Sequence, residues 1–153
     1  MPLHPLLVHF PIALLIIGAV VEIVNVFLKK ETLNKMGTTL IVIGFISGIA
    51  TVLSGDGAEE FAFSNWGRIL HDQVELHSFF ADLSMIIFGV LTAIKLLFKH
   101  TFFKFEFLKK PIFKSGLITI LIIILSISGT ALMAITGHLG GKIVYEHQVS
   151  TNQ

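Results

Sequence analysis

The segment SGLITILIIILSISGTALMAITG, residues 115–137, contains no charged side chain. A helix of this length extends about 35 Å at 1.5 Å per residue, which is enough to cross the hydrocarbon core of a bilayer. Three other apolar stretches are also long enough, and we place them near residues 5–28, 37–54 and 78–98. The sequence therefore predicts an all-α integral membrane protein, a four-helix bundle that occupies residues 1–153 as a single domain.

Composition supports this class and limits the chemistry. Hydrophobic residues make up 54% of the chain and charged residues 14%, and the mean hydropathy is +0.85, values that a water-soluble domain does not reach. The chain has no cysteine, which excludes disulfides, thiolate metal sites and iron–sulfur clusters. A metal or cofactor must therefore be held by His, Asp, Glu or Met.

The basic residues predict the topology. Nine of the eleven lie in or beside the first and third connections: Lys29, Lys30, Lys35, Lys95, Lys99, Lys104, Lys109, Lys110 and Lys114. By the positive-inside rule these connections are cytoplasmic, so both termini and the loop near 55–77 are expected on the extracytoplasmic side. A net charge of +1 gives no reason to expect a nucleic-acid partner.

The histidines sort to the opposite side from the lysines. Only His100 is expected on the lysine side. The other six are expected on the opposite side: His4, His9, His71, His77, His138 and His147. They come from the start of the first span, the start of the third and the end of the fourth. Because an ionisable group within a membrane is a functional hypothesis by default, the convergence predicts a cofactor or metal near the outer leaflet.

Depth along each span ranks the candidate ligands. His9 is the deepest histidine, and His77 or His138 would be the second ligand. Pro11 is expected to kink the first helix beside His9. His4 lies nearer water. Asp82, on the third span, is expected to orient the second ring nitrogen of His9.

Haem b is the favoured cofactor. It requires two axial imidazoles from different helices and a slot lined by small residues. Small residues recur on the fourth helix at Ser126, Thr130 and Ala134, and on the second at Gly44 and Gly48. The same stripes also serve close helix packing in lipid, so packing alone is the competing interpretation.

A metal ion (Zn, Cu or Fe) is the alternative occupant. His71 and Glu75 are spaced i, i+4 and share a helical face, as two ligands of one ion would. His77 points about 120° away on the same helix, so one ion does not take all three. Solvation of a helix start is the competing explanation for the His71 and Glu75 pair.

The ends of the chain resemble one family. The opening Leu3-His4-Pro5-Leu6-Leu7-Val8-His9-Phe10-Pro11 and the closing Gly137-His138-Leu139-Gly140-Gly141-Lys142-Ile143-Val144-Tyr145, together with the histidine that heads the third helix, are similar to the DUF2231 family of small bacterial membrane proteins. The resemblance implies a multi-pass protein of the bacterial inner membrane. Some members resemble redox modules, which implies electron transfer by association. The family motif matches this chain at His4, His9, His77, Gly140, Gly141 and Tyr145.

The function we predict is one-electron transfer by a bound haem b, between a quinol in the membrane and an extracytoplasmic carrier. The axial ligands would be His9 and either His77 or His138. Two alternatives stay open: a protein that binds a metal ion at its extracytoplasmic face, and a non-catalytic anchor subunit. The sequence decides neither whether the protein turns over a substrate nor whether it forms a homodimer or a larger complex.

Two further expectations need no cofactor. Glu22 and Lys95 lie at matching depths on the first and third spans, about 9–10 Å inward of each centre, so we expect them to pair. The glycines after residue 136 are expected to form a tight turn that folds the chain back over the end of the bundle and places Tyr145 at headgroup level.

Overall fold

The computed structural model of the chain describes residues 3–67, 70–98 and 116–150. Nearly all of these residues are helical and none forms a strand. The helices are α1 His4–Leu7, α2 His9–Leu28, α3 Glu31–Leu53, α4 Gly55–Trp66, α5 His71–Phe98 and α6 Gly116–Ser150. His100 and the side chain of His147 lie outside what the structure describes.

Four helical stretches are long and apolar enough to span a membrane: His4–Leu28, Glu31–Trp66, His71–Leu97 and Gly116–Tyr145. In the first, α1 and α2 run almost without a break, and in the second, α3 and α4 do. The predicted all-α membrane fold with four spans is thus confirmed. Large apolar side chains such as Ile17, Ile46, Ile86 and Ile124 face outward, as side chains in contact with lipid do.

The spans pack as a closed ring of antiparallel neighbours. α2 packs on α3, α3 on α5, α5 on α6, and α6 back on α2. Their shared core contains Leu15, Ile41, Phe88, Leu91 and Ile122, all almost completely buried. Because successive spans run in opposite directions, residues from the start of one and the end of the next lie at the same end of the bundle.

The glycines of the small-residue stripes bring neighbouring helices close together. A Cβ at Gly44 would lie 2.8 Å from Cγ of Leu15, and one at Gly48 would lie 2.6 Å from Sδ of Met85. The space beside both glycines is therefore filled by side chains of adjacent helices. This is the packing role that small residues commonly have in membrane bundles.

Pro11 removes one backbone hydrogen bond from the first span without breaking its helical course. Val8, between α1 and α2, has φ −60° and ψ −32°, and its N–H donates to the carbonyl of His4. Proline has no N–H to donate to the carbonyl four residues earlier, which here belongs to Leu7. The effect of Pro11 is therefore felt one turn before it.

Three helices extend well beyond the predicted spans, and α5 does so by beginning at His71, seven residues before the expected start at 78. α3 begins at Glu31, well before the expected start at Gly37, and α6 continues to Ser150. The predicted tight turn after residue 136 was wrong, because Gly137, Gly140 and Gly141 all lie within α6. A helical glycine costs only about 1 kcal/mol relative to alanine, and no proline follows to end the helix.

The bundle has two chemically different ends. We call the end formed by α1, the end of α3, the start of α5 and the last third of α6 the histidine end. The opposite end, which contains Lys29, Lys30, Lys35 and Lys95, is the lysine end. The predicted orientation, with the histidine end extracytoplasmic, stays a prediction.

The expected ion pair between Glu22 and Lys95 is confirmed. Nζ of Lys95 lies 2.7 Å from Oε2 of Glu22, and the two side chains are 0% and 3% exposed. Asn34 supplies a second acceptor, since its Oδ1 lies 2.6 Å from the same ammonium group. The pair joins α2 to α5, which otherwise face each other across the bundle.

Candidate metal centre

Two histidines meet at the histidine end. His4 begins α1 and His77 lies two turns into α5, and their ring centroids are 6.3 Å apart with an interplanar angle of 87°. Both side chains are partly buried. The two residues are separated by 73 positions in the chain, so the fold of the bundle brings them together.

Backbone and hydroxyl groups of α3 orient the ring of His4. Its Nδ1 lies 3.0 Å from the carbonyl oxygen of Thr51 and 2.9 Å from Oγ of Ser54. Ser54 in turn donates a hydrogen bond of 2.6 Å to the Thr51 carbonyl. Because a carbonyl only accepts hydrogen bonds, Nδ1 carries the proton of the neutral ring and Nε2 has the lone pair.

His77 is held in the same way by α6. Its Nδ1 lies 3.0 Å from the carbonyl oxygen of Thr136, and the Thr136 hydroxyl lies 3.3 Å from that of buried Ser84. Gly140 lies against the ring, where a Cβ would be 3.0 Å from Cε1. His77 therefore also has its lone pair on Nε2.

This arrangement is the one that metal-binding histidines adopt. A ligating imidazole usually donates its other N–H to a carbonyl or carboxylate, which fixes both the tautomer and the ring orientation. His4 and His77 each do so with a carbonyl from a different helix. The site is thus built by four spans, with the two histidines on the first and third and the groups that orient them on the second and fourth.

The structure separates His9 from this pair. His9 is exposed on the outer surface, and its Nδ1 lies 2.8 Å from the carbonyl oxygen of Pro5 in its own span. His138 is exposed as well. Only His77 of the three deepest candidates lies at the pair, and its partner is His4, which sequence depth ranked below His9.

Two other predicted site residues also face outward. Asp82 is exposed on α5, and Tyr145 is 72% exposed on α6. No described hydrogen bond joins either side chain to His4, His9 or His77. The proposed role of Asp82 as the residue that orients His9 stays a prediction.

The predicted face shared by His71 and Glu75 exists at the start of α5. Nδ1 of His71 lies 3.7 Å from Oε2 of Glu75 and 3.8 Å from Oδ1 of Asp72, and all three side chains are exposed. One donor atom from each lies within 4.8 Å of the others. The ring of His71 stacks on Phe63 of α4, with centroids 6.0 Å apart. This surface cluster is distinct from the His4 and His77 pair.

Acidic side chains surround the histidine end. Asp56, Glu59 and Glu60, on the first turns of α4, border an open depression of about 600 Å³, and Asp72 and Glu75 are exposed at the start of α5. Clustered charge of one sign raises the local concentration of the opposite ion. This end of the bundle favours the approach of cations.

Sequence reasoning missed the groups that orient the two imidazoles. Thr51 and Thr136 act through backbone carbonyls, which no side-chain pattern reveals. Ser54 was interpreted only as part of a helix boundary. Gly140 was signalled by the family motif, and its contact with His77 supplies a physical reason for a glycine inside a long helix.

One family model matches the chain over residues 1–153, and its description is "Predicted membrane protein (DUF2231)". No curated protein matches the chain, and no solved structure does.

Proposed function

We infer that this chain, which belongs to the DUF2231 family of predicted membrane proteins, is a membrane-embedded copper-binding protein that exchanges single electrons. His4 and His77 are the proposed ligands. The observation that carries the proposal is their common geometry, in which each ring has its Nδ1 on a carbonyl and its lone pair on Nε2.

The ring separation fits one metal ion between two imidazoles. A metal–nitrogen distance of about 2.0 Å, with the ring centre about 1.1 Å behind the nitrogen, places two opposed ring centres about 6 Å apart. The centroids of His4 and His77 are 6.3 Å apart. The spacing of the two rings therefore matches that of two imidazoles on one ion.

Copper suits this ligand set better than the other ions that imidazole binds. Zinc in proteins takes four ligands or three and a water, whereas His4 and His77 supply two. Copper stands highest among the divalent first-row metals in affinity for nitrogen sites. The acidic side chains of α4 and of the first turn of α5 favour any cation over an anion at this end.

Haem b, the cofactor favoured by the sequence, is supported less well. The space beside Gly44 and Gly48, where a flat macrocycle was expected, is occupied by Leu15 and Met85. His9, its expected axial ligand, faces away from His77. The propionates of a haem would also be repelled by the acidic groups at this end.

Each residue of the site has a separate role in this proposal. His4 and His77 bind the ion, while the carbonyls of Thr51 and Thr136 and the hydroxyl of Ser54 hold the rings in position. Bound copper would supply one-electron exchange. The proposed partners are a quinol, which the surrounding lipid would deliver, and a carrier beyond the histidine end.

Metal analysis of the purified protein tests the proposal. We expect about one copper per chain after reconstitution with copper, zinc and iron in competition, and no Soret band in the visible spectrum. His4→Ala and His77→Ala should each lose the copper at equal folded yield. The electron paramagnetic resonance spectrum of the oxidised protein should show coupling to imidazole nitrogen.

Three outward histidines provide matched controls. His9→Ala, His138→Ala and His71→Ala should retain copper, because none of these side chains lies at the pair. Copper that persists in both His4→Ala and His77→Ala contradicts the proposal. A Soret band that His9→Ala abolishes would instead restore the haem hypothesis.

A further inference from the structure

A cavity opens into the bundle at the lysine end, remote from the histidine pair. Its volume is about 370 Å³, and it is lined by Glu22, Asn25, Val26, Lys29, Lys30, Glu31, Asn34, Thr119 and Ile122. Glu22 is the deepest acidic group that it reaches, and this carboxylate pairs with Lys95. An aqueous cavity therefore touches an ion pair that lies inside a membrane span.

One face of α6 continues from this cavity toward the centre of the bundle. Thr119 and Ile122 line the cavity, and Ser126 and Thr130 follow at spacings of four residues, so all four lie along one side of the helix. At 1.5 Å per residue, Ser126 lies about 10 Å and Thr130 about 16 Å deeper than Thr119.

The hydroxyls of Ser126 and Thr130 differ from the other buried hydroxyls. Both oxygens are buried, and neither has a hydrogen-bond partner among the described residues. Ser126 is 0% exposed. By contrast, Thr38, Ser84, Thr92 and Thr136 each donate to a carbonyl one turn earlier in their own helix.

Two unsatisfied hydroxyls one turn apart are costly in an apolar bundle, because each loses its hydrogen bonds to water without gaining a replacement. Water is the usual partner of a buried polar group that protein atoms leave unsatisfied. A hydroxyl both donates and accepts, so water between Ser126 and Thr130 would form a continuous chain of hydrogen bonds.

We propose that the lysine-end cavity extends inward as a water-filled half-channel that passes the Glu22 and Lys95 pair and ends at Ser126 and Thr130. Its ligands are water and the hydrated proton. At the level of Thr130 the interior is closed by Phe88, which packs against Gly129 and is 0% exposed, and one turn further by Met133, which is 5% exposed. The half-channel therefore gives protons access from the lysine end to the middle of the membrane but not across it.

Glu22 lines the cavity, and its carboxylate and the ammonium group of Lys95 are the groups that exchange protons. Their 2.7 Å contact allows a proton to move from the ammonium to the carboxylate without a change in the charge of the pair. Water in the cavity supplies or removes a proton at Glu22, and Lys95 exchanges through this contact. The other charged groups that line the cavity are Lys29 and Lys30, in the connection between α2 and α3, and Glu31 at the start of α3, which pairs with Lys35.

Accessibility of introduced cysteines tests the half-channel, since the chain has no cysteine of its own. Single variants Thr119→Cys, Ser126→Cys and Thr130→Cys are placed in sealed proteoliposomes and treated with Ag⁺, which reacts with thiols only where water reaches them. The protein is then unfolded in detergent and the remaining thiols are labelled with a fluorescent maleimide. Ag⁺ at the lysine end should block labelling of all three variants.

Two matched controls lie on the same helix. Ser128→Cys places a thiol on the outer side of α6, where the native hydroxyl donates to Ile124, and Thr136→Cys places one beyond Met133, at a position that is 7% exposed. Both should label fully after Ag⁺. If Thr119→Cys is blocked while Ser126→Cys and Thr130→Cys label as fully as Ser128→Cys, the cavity does not extend beyond Thr119 and Ile122, and the proposal is wrong.

Discussion

Gly140 packs directly on the imidazole of His77, so closely that a Cβ would lie 3.0 Å from Cε1 and 3.3 Å from Nδ1. An added methyl group must push the ring by a few tenths of an ångström, which would disturb its hydrogen bond to Thr136. Gly141, the next residue, has only an ordinary contact, 4.0 Å from Cδ2 of Tyr145. The two adjacent glycines therefore differ in their relation to the site.

We expect Gly140→Ala to lower copper affinity about tenfold or more, the effect typical of losing the group that orients a ligating histidine. Gly141→Ala should bind copper normally. Copper titration of both variants by competition with a chelator measures the difference. Equal affinity in Gly140→Ala and the native protein would show that His77 tolerates the shift or is not a ligand.

The buried ion pair predicts a strongly non-additive response. Glu22→Gln and Lys95→Met should each destabilise the protein in detergent by about 3–5 kcal/mol, because each leaves an uncompensated charge inside the bundle. The double variant should be no less stable than either single one. Denaturation of the four proteins gives the coupling free energy, and strictly additive losses would contradict an energetic role for the pair.

This ion pair shows what sequence depth predicts well. Counting 1.5 Å per residue from the centre of each span placed Glu22 and Lys95 at one level, and the structure joins them. Depth succeeded because both residues face the interior of the bundle, and a charged group at membrane depth needs a partner. The four spans were predicted for a similar reason, since their apolar runs exceed the thickness of a bilayer.

Depth along the span failed to select the histidine pair because it does not give the direction in which a side chain points around the helix axis. His9 and His4 are five residues apart in the first span, and a difference of about 140° separates their directions. Which imidazole faces inward therefore depends on the local backbone beside Pro11 and on a carbonyl of Thr51, and neither is visible in a hydropathy pattern.

Two glycines in α3 predict different responses to the same substitution. In Gly44→Ala the new methyl group meets Leu15, which is 0% exposed and has no space to move into, so overpacking should cost about 1–3 kcal/mol. In Gly48→Ala it meets the flexible end of Met85, which can turn aside. The gain in helix propensity, about 1 kcal/mol, should then leave Gly48→Ala as stable as the native protein.

Thermal unfolding in a mild detergent compares the two glycine variants. A lower midpoint for Gly44→Ala alone is the expected result. Equal destabilisation of both variants would mean that the interface near Gly48 is as tightly packed as the one near Gly44.

Ser54 offers the most direct test of how His4 is positioned. Its hydroxyl lies 2.9 Å from Nδ1 of His4 and donates to the Thr51 carbonyl that also contacts this nitrogen. Ser54→Ala removes one of the two groups on Nδ1, so copper affinity should fall by about 10-fold to 100-fold, while Ser54→Thr, which keeps the hydroxyl, should restore most of it. Ser64→Ala on α4 is the control, since that hydroxyl donates to Phe61 and accepts from Asn65, both in its own helix. Native affinity in Ser54→Ala would assign the positioning of His4 to the Thr51 carbonyl alone, and a loss in Ser64→Ala of the same size would show that the effect is not specific to His4.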